Sequence, residues 1–207
     1  MTKKLLIVAT AFVLSACAGP QVTRVQALSD TADAPYQSVL VVSLFELFDT
    51  RRWLEDALVK ELAAQGVSAV ASTSLMNTKT PVTRQTFQAM VDEQGSDSVL
   101  ITQLISLDSE AKANDSRPEA TRIIRPTYYY NVWSVELTEF VEPPFLTMNH
   151  EFRLATQIYS VSAKEAVWGI ESKSKIATQR ETRGDTSFIK DEAKAIVRHL
   201  SRDGLIN

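Results

Sequence analysis

The chain of 207 residues carries 22 basic and 25 acidic residues, a net charge of −3, with 44% hydrophobic residues and one cysteine. That mildly acidic balance gives no overall electrostatic case for binding nucleic acid or for coating an anionic lipid surface. A single cysteine excludes an internal disulfide, so stability rests on a buried core, for which this length suffices.

The first residues are the most specific. Lys3 and Lys4 precede Leu5–Leu14 (LLIVATAFVL), an apolar run shorter than the roughly 20 residues a spanning helix needs. Leu14-Ser15-Ala16-Cys17 follows directly. This segment resembles a bacterial lipoprotein signal peptide with its lipobox, which implies cleavage before Cys17 and acylation of its thiol. A core helix or a plain membrane anchor would not pair lysines at one end with small residues and a cysteine at the other. The expected division is 1–16 signal peptide, 17–36 lipidated Cys17 and tether, and 37–207 a single α/β domain. Loss of Lys3 and Lys4 leaves 20 basic against 25 acidic residues, a net charge of −5. Membrane attachment is then expected from the lipid, and two or more acyl chains hold stably. Ala18 after the cysteine, in place of Asp, implies on the same resemblance an outer-membrane protein on the periplasmic face. In a cell with one membrane it implies the outer side of that membrane.

Residues 18–36 (AGPQVTRVQALSDTADAPY) are polar and small, with Pro20 and Pro35 and no sustained period, and read as a tether. Such a segment spans at most about 65 Å and on the order of 25 Å on average. Ser38–Phe45 is apolar at both alternating sets of positions, the pattern of a strand covered on two faces. Asp49 or Thr50 can cap a helix whose stripe runs through Trp53, Leu54, Ala57, Leu58, Glu61 and Leu62 and ends at Gly66. Val67–Ala71 is a short strand. Thr83 opens a helix with Phe87, Met90 and Val91 on one face, stopped at Gly95, and Ser98–Leu107 is the next strand. Strand–helix–strand–helix–strand with short connections implies right-handed crossovers and a parallel sheet.

The second half alternates with period two over Thr127–Phe140, Asn149–Val161 and Glu165–Ile176. Tyr129, Trp133, Val135 and Leu137 share one face; Phe152, Leu154, Thr156 and Ile158 share another; Trp168 and Ile170 a third. Turn residues at 142–145 and 162–164 make this an antiparallel three-strand meander. Ile189, Ala193, Ile196, Val197 and Leu200 then mark an amphipathic helix stopped by Gly204. The fold class is α/β (α+β): one mixed sheet, a parallel βαβαβ half, the meander, and a C-terminal helix, in two or three layers.

The segments Arg51–Asp56, Gly66–Ser72, Asp97–Thr102 and Asp203–Ile206, with the Val167-Trp168 pair, resemble a family of uncharacterised bacterial lipoproteins over most of residues 37–206. At fold level the likeness extends to the N-terminal domain of the translocation protein TolB, to the curli-secretion lipoprotein CsgG and to lipoproteins that activate peptidoglycan synthases. This chain lacks a propeller, a pore-forming hairpin and a long tether, which leaves the implied class as an envelope module that works by binding.

Catalytic signals are weak. His150 and His199 fall on different elements and do not make a metal-ligand spacing. Ser187-Phe-Ile-Lys190 matches the SxxK pattern without its partner motifs, and reads as an exposed helical turn. Glu55 and Asp56 are adjacent on a helix and point apart, so they form no carboxylate pair. No cofactor is implied. The candidate partner-binding patch lies in the connector from Asp108 to Thr127, which has no evident structure of its own, and just beyond it. There Arg122 and Arg125 precede Tyr128 and Tyr130, the arginine–aromatic mixture of protein interfaces; packing beneath a helix is the competing explanation. The sequence thus implies a non-catalytic binding or assembly accessory at the envelope, joined to the membrane by its lipid and to an envelope protein partner. A carrier of a small lipid or glycan and an enzyme acting on the cell wall are the alternatives.

Overall fold

The computed structural model describes residues 19–29, 33–81, 83–110, 122–124, 149–177 and 187–207, with the backbone alone at 109–110, 122–124, 149–150 and 176–177. In chain order the elements are β1 (Gln21–Ala27), β2 (Ser38–Leu44), α1 (Phe48–Ala64), β3 (Ser68–Ala71), α2 (Ser72–Leu75), α3 (Arg84–Gln94), β4 (Ser98–Glu110), β5 (Arg122–Ile124), β6 (Asn149–Ser160), β7 (Glu165–Ala177) and α4 (Ser187–Arg202).

One mixed sheet runs in the order β1-β7-β6-β4-β2-β3, with β5 paired to β4. β2 is parallel to both β3 and β4, whereas β4–β6, β6–β7 and β1–β7 are antiparallel. The expected parallel half and the hairpin of the meander are both present. Its first expected strand, Thr127–Phe140, lies outside the described residues.

The apolar run of β2 is buried on both sides because each face meets a different layer. Val39 and Val41 join a core beneath α1 and α4 with Leu54, Leu58, Leu62, Ile158, Trp168, Ile196 and Leu200. Leu40, Val42 and Leu44 turn the other way, to Phe87, Met90 and Val91 of α3 and to Val99 and Ile101. The architecture is therefore three-layered at the parallel half. Burial of these side chains, each contributing roughly 1.5–3 kcal/mol, is what stabilises a domain without cross-links.

Local chemistry accounts for the helix ends. Thr83 caps α3 by accepting a hydrogen bond from the Thr86 amide at 3.2 Å, and Gly95 ends it in the left-handed region at φ 60°. At α1 the N-cap is Leu47, with no side-chain cap, and Asp49 sits inside the first turn beside Arg52 at 3.1 Å. The proposed Asp49 or Thr50 cap is thus displaced by the earlier start of the helix. The stripe also differs. Trp53 is 44% exposed, and the buried face of α1 is Arg51, Leu54, Glu55, Leu58 and Leu62.

Two further expectations are corrected. The segment assigned as a tether contains β1, which pairs with β7 from Gln21 opposite Lys173 to Ala27 opposite Trp168. A register shift between Val22 and Arg24 lets Val22 and Val25, three residues apart, both pack on the α1/α4 core. The connector after Asp108 is likewise partly ordered: β4 extends to Glu110, and Arg122–Ile124 pairs with Leu107–Ser109.

The short motifs quoted for the family resemblance serve as joints. The Asp97 carboxylate accepts the Gln37 amide at 2.7 Å, fixing the start of β2 against the start of β4. Asp203 accepts the Trp168 indole N–H at 2.9 Å, and the Leu205 carbonyl accepts the Tyr36 amide at 2.8 Å. Gly204 makes that turn possible at φ 75°, a value that side chains with a Cβ resist.

Candidate functional site

In this sheet β2→α1→β3 steps to one side of β2, and β3→α3→β4 returns past it to the other. The carboxyl ends of β2 and β4 therefore flank a topological switch point, the position where open α/β sheets place ligands. α1 begins there, and its Arg51 and Glu55 are both turned inward.

Glu55 is fully buried. Its Oε1 accepts the Ser43 amide at 2.7 Å and the Ser72 hydroxyl at 2.9 Å. Its Oε2 accepts the Thr73 amide at 2.7 Å and the Thr73 hydroxyl at 2.8 Å. A carboxylate has about four acceptor positions, and all four are occupied. Burial raises its pKa above the ordinary value, opposed by the donors of Thr73, Ser43 and Ser72. No lone pair remains to take a substrate proton, so this carboxylate ties the end of β2 to α1 and to the start of α2.

Arg51, one turn earlier, is 6% exposed, with its guanidinium carbon 5.5 Å from the Phe48 ring centroid. Its Nε has no hydrogen-bond partner among the described residues. Glu192 repeats the Glu55 arrangement across the core. It projects from α4 onto β7, where the Ser174 hydroxyl donates to it at 2.9 Å and the Ser172 hydroxyl donates to its other oxygen. Burial again raises its pKa, and the two hydroxyls oppose the rise. Sequence reasoning considered Glu55 only as half of an absent carboxylate pair and passed over Glu192; the available signal was an acidic residue inside each apolar helical face, with Ser/Thr pairs at 72–73 and at 172 and 174 to meet them.

Of the site residues named from the sequence, Cys17, Arg125, Tyr128 and Tyr130 lie outside the described residues. Arg122 opens β5, its backbone opposite Ser109. After β4 the chain leaves the sheet at Glu110, rejoins it as β5 and enters β6 at Asn149, which is paired with Glu110. Both therefore root at the carboxyl end of the parallel strands. Gln21 pairs with Lys173, four residues from the end of β7 at the same edge of the molecule. The sheet thus brings together the start of β1, nearest in sequence to Cys17, and the root of the connector.

His150 lies on β6 and His199 on α4, as their separation implied. Burial lowers the His199 pKa, helped by Arg202 and Arg198 and opposed by Asp203. Among the described residues no three His, Cys, Asp or Glu side chains group as a metal site. Ser187 and Lys190 are exposed in the first turn of α4.

No protein-family model matches the chain, and comparison with curated proteins returned no match. Among solved structures it is similar to the PelC dodecamer from Paraburkholderia phytofirmans (12% identity, 91% of this chain and 99% of that one, TM-score 0.45). It is also similar to lipoprotein GNA1162 from Neisseria meningitidis (11%, 80% and 99%, TM-score 0.42). A third is a minor lipoprotein from Acinetobacter baumannii (10%, 81% and 92%, TM-score 0.38).

Proposed function

We propose that this protein is a lipid-anchored lipoprotein of the bacterial envelope that acts by binding, as an assembly or accessory module, without catalysis of its own. The observation that carries the reading is Leu14-Ser15-Ala16-Cys17 behind a lysine-flanked apolar run. A strand of the folded domain begins only four residues later, at Gln21. The two buried carboxylates support the non-catalytic part, because their hydrogen bonds go to the protein's own framework. The partner surface is assigned to Arg122, Arg125, Tyr128 and Tyr130, of which Arg122 opens β5 against the end of β4. The TolB- and CsgG-like plan noted from the sequence belongs to the same proposal.

Crosslinking in cells followed by purification tests it. A stoichiometric envelope protein, lost when Tyr128 and Tyr130 are both changed to Ser while the melting temperature is unchanged, is the expected result. A retained lipid or glycan in place of a protein would favour a carrier, and turnover on peptidoglycan fragments would overturn the non-catalytic assignment.

A further inference from the structure

The ordered β1 changes how the domain meets its membrane. Between Cys17 and Gln21 there are four Cα steps, which reach at most about 14 Å. An anchor at Cys17 therefore holds the Gln21 end of the sheet within headgroup distance, where the polar layer on each side of a bilayer is itself roughly 5–7 Å thick. A disordered tether to Tyr36 would have imposed no such orientation.

The side chains at that end are arranged by sheet register. Ser172 and Ser174 of β7 point at Glu192 of α4, so Glu171, Lys173 and Lys175 point to the opposite face. Lys173 is opposite Gln21 on one side and Arg153 on the other, and Lys175 is opposite Glu151. Arg24 joins the row through Glu171 at 3.8 Å. Both glutamates of the row are recessed, and so is Lys173 at 24%, while Lys175 and Arg24 project. The Glu151 and Glu171 side chains are 24% and 25% exposed, against 76% for Lys175 and 58% for Arg24. Arg153 is exposed, Lys173 is bound to Glu151, and Asp108 across the sheet is half-buried. Among the described side chains of this row the projecting charges, on Arg24, Arg153 and Lys175, are therefore positive, although the chain as a whole is acidic.

We infer that this end of the sheet, which carries Arg24, Arg153, Lys173 and Lys175, sits at the anionic headgroups of the membrane that holds Cys17. The inference rests on acylation of Cys17. The short link supplies the proximity, within about a Debye length of the surface, and the outward cations supply the orientation. The sheet then stands with its β6–β7 turn pointing away, since the 13 residues of β7 span roughly 40 Å.

The test uses the acylated protein in vesicles with and without 30% phosphatidylglycerol and a headgroup-attached quencher. A fluorophore is placed at Lys175→Cys or Ala163→Cys; the thioether of an acylated Cys17 does not react with the label. Quenching several-fold stronger at position 175 than at 163, strengthened by phosphatidylglycerol and reduced by 0.5 M salt, is the expected result. Arg24→Glu with Arg153→Glu weakens it, and the salt series gives the same information if that variant does not fold. Equal quenching at the two positions, or indifference at 175 to both lipid charge and salt, overturns the inference. A protein without acyl mass that fails to float with vesicles counts instead against the anchor.

Discussion

At the residue scale the two buried glutamates make opposite predictions for the same substitution. Each Glu55 oxygen faces a backbone N–H, from Ser43 or Thr73, which can only donate. An amide in either orientation sets its NH2 against one of them, so Glu55→Gln is expected to cost about 2 kcal/mol by urea unfolding. Glu192 faces only the hydroxyls of Ser172 and Ser174, which rotate to accept as readily as to donate. Glu192→Gln is therefore expected to change stability at neutral pH by less than about 0.5 kcal/mol, or to raise it. The same residue predicts a pH dependence. Its pKa is raised on folding, so the native state holds the proton more tightly than the unfolded chain. That contribution is fully present below the ordinary value of 4.5 and is lost as pH rises through the folded pKa. Unfolding measured from pH 4 upward should show a decline that Glu192→Gln reduces; an unchanged profile would remove Glu192 as its source. His199 runs the other way, since a lowered pKa adds stability as pH rises towards 6.5.

At the element scale, what could be read from sequence depended on whether apolar periodicity survived. β2, β6, β7, α3 and α4 follow their patterns because apolar residues dominate their buried faces, even where Glu192 of α4 and Ser172 and Ser174 of β7 interrupt them. Trp53 misled because Arg51 and Glu55 hold one side of the buried face of α1, so hydrophobicity tilted the apparent stripe towards Trp53 and Ala57 while still including Leu54, Leu58 and Leu62. β1 was hidden because the register shift at Val22/Arg24 replaces alternation by a spacing of three. Of the candidate site, the patch and anchor came from composition and motif, whereas the carboxylate hubs needed tertiary contacts between elements far apart in the chain. Two measurements follow. Thr83→Ala removes the α3 cap and is expected to cost about 1 kcal/mol. Removing residues through Ser29 uncovers β7 as an edge strand and strips Val22 and Val25 from the core. A loss on the order of 1–2 kcal/mol, with self-association visible on gel filtration, is the expected outcome.

At the scale of the whole molecule, a net charge of −3 concealed a local arrangement. Arg24 and Lys175 project past the recessed Glu151 and Glu171 at the Gln21 end of the sheet, and only the sheet register brings Arg24, Arg153 and Lys173 into one row. Glu110 and Asn149, where the chain leaves β4 and enters β6, lie at the same end. The central claim is the anchor itself, and mass spectrometry of the mature N-terminal peptide tests it most directly. The account predicts a chain beginning at Cys17 with diacylglycerol on its sulfur. A chain that retains residues 1–16, or begins elsewhere with an unmodified Cys17, would contradict it.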